Sequence, residues 1–269
     1  MKNLKKILVS FFSVLVLILF ASGCSDSDDN TSGTSRIKVS VTDNPGDYDE
    51  VNIEILDVKI KNSNGTDENG WVSIGIINPG VYNLLDLTGG VIAPLSDSEI
   101  PSGFLGQIRL ILGENNTVVK DGITYPLNTP SAQQSGLKLL VNQTLEPNFT
   151  YDFLIDFDVN RSIVVQAGSS GIFNLNPVLR ISSLVNSGSI SGIVISDGFQ
   201  VSASVMVGNV EVSALTNSEG IFHLHGIPAG TYTLTLTPDP DSMLNPLIIE
   251  NVVVVNGVNT DTGTSTLTN

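Results

Sequence analysis

The densest set of groups able to do chemistry lies in Tyr151–Val159, where Asp152, Asp156 and Asp158 fall among Phe153, Ile155 and Phe157. A period of two places Tyr151, Phe153, Ile155, Phe157 and Val159 on one strand face. Asp152, Leu154, Asp156 and Asp158 then share the other. Same-face neighbours stand ~7 Å apart, so Asp156 and Asp158 could flank a cation or a scissile bond. Gln107 and Arg109 share a face of another strand, and Arg161 follows Asp158 by three residues. The competing reading is a structural charge network, Arg109 with Asp156 and Arg161 with Asp158. Such pairing lowers a carboxylate pKa, the opposite of what a general acid requires. We read Arg109, Asp156, Asp158 and Arg161 as this network, with a ligand site as the alternative. Breaking a fully buried pair would cost roughly 3–5 kcal/mol.

Asp43 and Asp47 flank Pro45-Gly46, with Asp49 and Glu50 close behind. Calcium takes six to eight oxygens, and a turn rich in Asp and carbonyls offers several. There is no EF-hand pattern, however, and turn Asp residues commonly cap their own backbone. His223 and His225 share one strand face while Phe222 and Leu224 take the other. A metal there would need ligands from elsewhere, and His-x-His suits a wet strand face. Trp71 is the only Trp, too little for a long aromatic sugar cleft. A Gly-x-Ser-x-Gly elbow, a phosphate-binding Gly-rich loop and His-Glu-x-x-His are all missing from the sequence. No catalysis, cofactor or resident metal is expected.

The charge balance narrows the partners. The chain has 12 Lys+Arg against 27 Asp+Glu, a formal −15, and only 14% of it is charged. Polyphosphate binding needs a basic footprint, so nucleic acid is excluded as a partner. The steady supply of Val, Ile and Leu excludes a disordered acidic tail. One Cys precludes an intrachain disulfide and a Cys-rich zinc site.

That Cys belongs to the address. Lys2, Lys5 and Lys6 form a basic region, Ile7–Phe20 is almost wholly apolar, and Ala21-Ser22-Gly23-Cys24 follows. This layout is a secretory signal, too short and wrongly flanked for a stable membrane span. It resembles a bacterial lipobox, although Ala21 stands where Leu is commoner. The resemblance implies cleavage after residue 23 and lipid on Cys24. An ordinary signal with a chance Cys, or an uncleaved anchor, is the bland alternative. Cleavage removes three Lys and no acid, leaving 9 bases against 27 acids, a formal −18. Lipid must therefore hold the protein against an anionic surface. Residues 24–35 read as an acidic flexible tether, and Ser25-Asp26-Ser27-Asp28-Asp29-Asn30 resembles the export signal that Bacteroidetes-type bacteria place after the lipidated Cys. The expected location is the bacterial outer membrane, lipid-anchored and surface-exposed.

The elements that must position these groups are strands. From Arg36 onward the period is two, as in Arg36–Val41 and Val51–Ile55, and turns such as Asn64-Gly65, Asn78-Pro79-Gly80 and Asp121-Gly122 break the runs. Further strands are predicted at Trp71–Ile76, Gln107–Leu112, Thr117–Lys120, Thr150–Val159 and Pro177–Ser182. No long amphipathic helix is evident; Val81–Leu87 could form a turn or two. The small, polar stretch Ser182–Ser189 marks a domain boundary. Beyond it, strands are predicted at Ile190–Ile195, Val201–Val207, Val210–Leu215, Ile221–His225, Thr231–Thr237 and Ile248–Val255. The fold class is all-β, with two β-sandwich or barrel-like domains at 36–183 and 188–267 after signal peptide and tether.

Two resemblances follow from particular blocks. Val39–Tyr48, Gln107–Leu110, Pro130–Lys138, Asp156–Ser162 and Pro177–Arg180 together resemble a bacterial and archaeal domain of unknown function, family number four-three-eight-two. Gly192-Ile193-Val194, Ala214–Phe222 and Gly226–Tyr232 are similar to the carboxypeptidase regulatory-like domain. The second resemblance implies a small transthyretin-like sandwich grouped with carbohydrate-binding-like folds. The expected function is a non-catalytic surface binding or adhesion module with carbohydrate as ligand class. The alternative is a structural stalk or scaffold beside an outer-membrane protein.

Overall fold

The computed structural model describes residues 33–44, 47–130, 135–166 and 171–269. The signal segment, Cys24 and most of the expected tether lie outside the described residues, as do Pro45 and Gly46. The chain is nearly all β, as its period of two predicts. The first thirteen strands are β1 (Thr34–Asn44), β2 (Glu50–Lys61), β3 (Val72–Ser73), β4 (Gly80–Asn83), β5 (Ala93–Pro101), β6 (Gly103–Leu112) and β7 (Thr117–Lys120), then β8 (Ile123–Asn128), β9 (Leu137–Leu145), β10 (Thr150–Asp158), β11 (Ile163–Val165), β12 (Phe173–Leu175) and β13 (Leu179–Ser183). One sheet has the order β13-β10-β1-β5, with β1 and β10 parallel. The facing sheet runs β11-β12-β8-β7-β2-β6-β9, and β3 and β4 also pair with β2.

Alternation decides what lies between these sheets. Ile37, Val39 and Val41 of β1 point inward with Phe153, Ile155 and Phe157 of β10. On β2 the inward set is Val51, Ile53 and Ile55, then Val58 and Ile60. The phase slips because a bulge between Ile55 and Asp57 inserts an extra residue against β6. Each fully buried side chain of this size contributes roughly 1.5–3 kcal/mol. Where the sequence predicts a strand over Trp71–Ile76, only Val72–Ser73 pairs, and Val81–Leu87 divides into the end of β4 and a 3-10 turn, Leu84–Leu87. The Asn83 side chain caps that turn by accepting from the Leu85 N–H.

The remaining strands are β14 (Gly188–Ile195), β15 (Val201–Val207), β16 (Val210–Leu215), β17 (Ile221–Ile227), β18 (Gly230–Pro238), β19 (Leu247–Val254) and β20 (Asn259–Thr266). They form a second sandwich of two sheets, β17-β14-β20 and β16-β15-β18-β19. Its separate core gathers Ile190, Val194, Val205, Phe222, Leu224, Leu234 and Leu236. Between the sandwiches Leu184–Asn186 makes a 3-10 turn, and the Ser187 hydroxyl donates to the Ser183 carbonyl at 2.8 Å. The second sandwich covers the outer face of the β13-β10-β1 sheet. Leu154, on that outer face, is accordingly as buried as a core residue.

Candidate functional site

The seam between the sandwiches gathers most of the predicted polar residues. Asp156 lies directly across from Arg180 in the β10–β13 ladder. The Arg180 guanidinium donates to Asp156 Oδ2 at 2.9 Å and, across the seam, to the carbonyls of His225 at 2.6 Å and Gly226 at 2.8 Å. One side chain thus neutralises a half-buried carboxylate and fastens β17 to β13. Burial pushes the Asp156 carboxyl above its usual range, and the Arg180 charge and hydrogen bond only partly counter this. The lowered pKa expected from ion pairing is therefore corrected: desolvation outweighs the pair.

Asp158 caps the helical turn Val159–Ser162 by accepting from the Arg161 N–H at 2.9 Å. Its second oxygen lies 3.7 Å from the largely exposed Arg161 guanidinium, a weak pair. Burial also raises the Asp158 carboxyl, against the capping bond and the Arg161 charge. Asp156, Asp158, Arg161, Arg180 and Glu211 border a hollow of about 290 Å³ between the sandwiches.

Arg109 is not part of this group. It belongs to β6, in the other sheet, and its side chain lies on that sheet's outer face rather than near Asp156. There it stacks 3.9 Å from the Trp71 ring centroid and donates to Glu68 at 2.7 Å. Lys138 binds the same carboxylate, and Gln107 donates to the carbonyls of Ser63 and Gly65. These bonds, with Lys61 on Asp67, pin the loop 62–71 over the sheet. The guanidinium covers a face of the Trp71 ring that a sugar would need.

The two acids offered as a calcium option part company. Asp43 is buried in the seam, bordering a small cavity with Thr42, Asp156, Ser213, His223 and His225. Asp47 is fully exposed, 3.9 Å from Lys120. No cluster of three or more metal-binding side chains occurs among the described residues.

His223 and His225 also depart from expectation, for their strand face is not wet. Their rings stack with centroids 4.1 Å apart, pressed between β17 and the Gly89-Gly90 loop of the first sandwich. A Cβ on Gly90, whose φ is +95°, would lie 2.7 Å from His223 Nδ1. The Gly90 backbone hydrogen-bonds the His225 ring. Burial lowers both imidazoles, and the charges of His223 and Arg180 help push His225 down to about 4. Both buried Nε2 atoms lack a hydrogen-bond partner among the described residues.

Past the Gly89-Gly90 loop the seam opens into a cleft of about 800 Å³. Tyr48, Asp49 and Asp86 line it from the first sandwich; Phe199, Asn217 and Glu219 face them from the second. Asn217 is held by accepting from the N–H groups of Glu219 and Ile221, so its turn is rigid. Among the described residues no Lys or Arg lines the cleft, and Lys120 stands beside its wall, 5.5 Å from the Tyr48 ring centroid. Carboxylates and an amide beside two aromatic rings suit hydroxyl donors and repel anions. Sequence reasoning missed Arg180 and, Asp49 of the acidic loop apart, the cleft residues as site residues. Arg180 and Asn217 stand inside recognisable blocks, but neither block names a partner across the seam.

Among the described residues no helix is long and apolar enough to cross a membrane. Residues 34–177 match the family described as DUF4382, domain of unknown function. No curated protein matches the sequence significantly. Solved structures bear a weak likeness, and three serve as examples. A cohesin–X-dockerin complex from Acetivibrio cellulolyticus is 22% identical over 30% of this chain and 56% of that one, with a TM-score of 0.24. The Bacillus anthracis TIE protein is 12% identical over 88% of this chain and 34% of that one, TM-score 0.23. The major pilin subunit BcpA of Bacillus cereus, in a D312A form, is 10% identical over 88% and 70%, TM-score 0.23. The chain thus spans about half and a third of the first two.

Proposed function

The chain belongs to the DUF4382 family through residues 34–177, and from that premise we propose that it is a non-catalytic lipoprotein of the bacterial outer membrane whose cleft binds a neutral glycan. In this reading Cys24 carries the lipid and the cleft is the working surface. The observation that carries it is where the cleft lies. β1 enters at Thr34, next to the tether, and runs eleven residues to Asn44, about 36 Å of strand. Tyr48 and Asp49 follow at its far end. β14 runs the same way from Gly188, and the cleft residues of the second sandwich follow Ile195 or face them from the β16–β17 turn. The cleft therefore lies at the end of the sandwiches opposite the point where the tether enters.

The lining supports a polyhydroxyl ligand, with Asp86 and Asn217 for hydroxyl groups and Phe199 for an apolar sugar face. The resemblance of the second sandwich to carbohydrate-binding-like domains supports the same class by analogy. A scaffold or stalk is the second reading, favoured by one observation: Arg180 bolts the two sandwiches together, as a rigid spacer requires.

A glycan array probed with the soluble chain, beside a pull-down from outer membranes, separates the two. Neutral glycan hits that disappear in Asp86→Ala support binding. A stoichiometric protein partner without glycan hits supports the scaffold.

A further inference from the structure

We infer that the end of the molecule where the tether enters is a membrane-contact face, seated on the lipid surface that holds the acyl chains of Cys24. The inference rests on the lipid anchor proposed above and adds a second, direct contact with the bilayer.

Hydrogen bonds define that end. The Ser102 N–H donates to the Gly33 carbonyl at 2.8 Å, and the Asn148 N–H donates to the Thr34 carbonyl at 2.8 Å. The Ser35 hydroxyl reaches Ser102 at 2.7 Å and the Glu146 carbonyl at 2.9 Å. These bonds tie the β5–β6 and β9–β10 turns to the entry point. The 3-10 turn after β13 faces the same way. The β19–β20 turn joins it, since the Gly257 N–H donates to Ser187 and the Ser189 N–H to Val258.

Two properties set these turns apart. Each presents an exposed apolar side chain: Phe104, Phe149, Val185, Val255 and Val258, with Phe149 63% exposed. They are also almost free of charge. Residues 100–104, 145–149, 184–188 and 255–259 carry one acid, Glu146, and no base. The β15–β16 and β17–β18 turns at this end, 207–210 and 227–230, have no charge. The opposite end carries Asp47, Asp49, Asp86, Asp197, Glu219 and Asp239.

This polarity matches a bilayer on one side and water on the other. Acids within a Debye length of an anionic surface are repelled, while those tens of ångströms away are screened. These turns approach lipid with little of that penalty, since the nearby acids of the 62–71 loop, Asp67 and Glu68, are paired with Lys61, Arg109 and Lys138, and their aromatic and aliphatic tips can enter the headgroup boundary. Chain length makes lipid the occupant. Nine peptide steps separate Cys24 from Gly33, a reach of at most ~32 Å. A lipidated Cys24 thus holds the entry point within that reach of the bilayer, near enough for these turns to seat on it.

The test uses the lipidated full chain, whose only native Cys is blocked by acylation. Environment-sensitive fluorophores are attached through Phe149→Cys or, at the far end, Gln200→Cys. Each protein is reconstituted in phosphatidylcholine vesicles with or without brominated acyl chains. The expected result is a blue shift and bromine quenching at position 149 and neither at position 200. Equal, unquenched emission at both positions in protein that floats with the vesicles would overturn the membrane face while leaving the anchor intact. A blue shift at position 149 confined to native outer membranes would overturn it in favour of a protein partner. Flotation that is lost only in Cys24→Ala secures the anchor separately. Wild-type protein that fails to float would overturn anchor and membrane face together.

Discussion

Arg180 is the side chain on which the seam depends most. It is the paired base for the half-buried Asp156 and donates to two carbonyls of the second sandwich. Replacing it by Met leaves the carboxylate without its counter-charge and both carbonyls without this donor. The pair is only partly buried, so Arg180→Met should cost roughly 1–3 kcal/mol in urea unfolding, and the double variant with Asp156→Asn should recover part of it. Simple additivity of the two losses would argue against the pair. His225 gives a pH signature. Its folded pKa of about 4 lies below the usual 6.5, so folding favours the neutral ring. That contribution is complete above pH 6.5 and is lost as pH falls towards 4, a span worth roughly 3 kcal/mol. Asp156, raised by burial, acts with the opposite sign: its protonation favours the folded state and offsets part of the loss. His225→Gln should flatten the fall in stability between pH 6.5 and 4; an unchanged slope would count against a buried neutral imidazole. At this scale the sequence showed which face Asp156 and Asp158 share. It could not show that Arg180 rather than Arg109 answers Asp156, because strand pairing, not spacing, chooses the partner.

The Gly89-Gly90 loop and β17 form the tightest joint between elements. Thr42 secures the loop's neighbours with a hydroxyl that shares its one hydrogen between the Leu87 and Val91 carbonyls, both at 3.0 Å. Gly90 then meets the imidazole of His223 at a φ that other residues rarely adopt. Gly90→Ala should destabilise by roughly 1–3 kcal/mol in thermal or urea unfolding, through backbone strain and the clash with His223. A variant as stable as wild type would mean that the loop does not press on β17. The alternation that exposes strands such as β1, β2, β10, β14 and β15 to a sequence reading is absent from others. β20 is Asn-Thr-Asp-Thr-Gly-Thr-Ser-Thr, with no apolar residue, and is a strand because it forms a parallel ladder with β14. β5 carries Pro at both ends and an irregularity opposite Val39-Ser40, so its inward Leu95 and Ile100 fall out of phase. The parallel pairing of β1 with β10 has no local signal at all.

Across the whole molecule, two sandwiches with separate cores meet in a polar seam, and one end of that seam opens into a cleft. Composition and alternation were enough to read an all-β chain. The cleft was not legible, because its walls come from residues more than a hundred positions apart. The account therefore turns on whether this cleft is where a ligand sits. Isotope-labelled soluble chain, titrated with a neutral glycan from the array and followed by backbone amide resonances, tests that most directly. The account predicts saturable shifts concentrated at residues 48–49, 85–88, 195–200 and 217–220, and their loss in Phe199→Ala with the remaining spectrum intact. Saturable shifts that cluster away from these residues, on the loop 62–71 or on the outer strands, would contradict it.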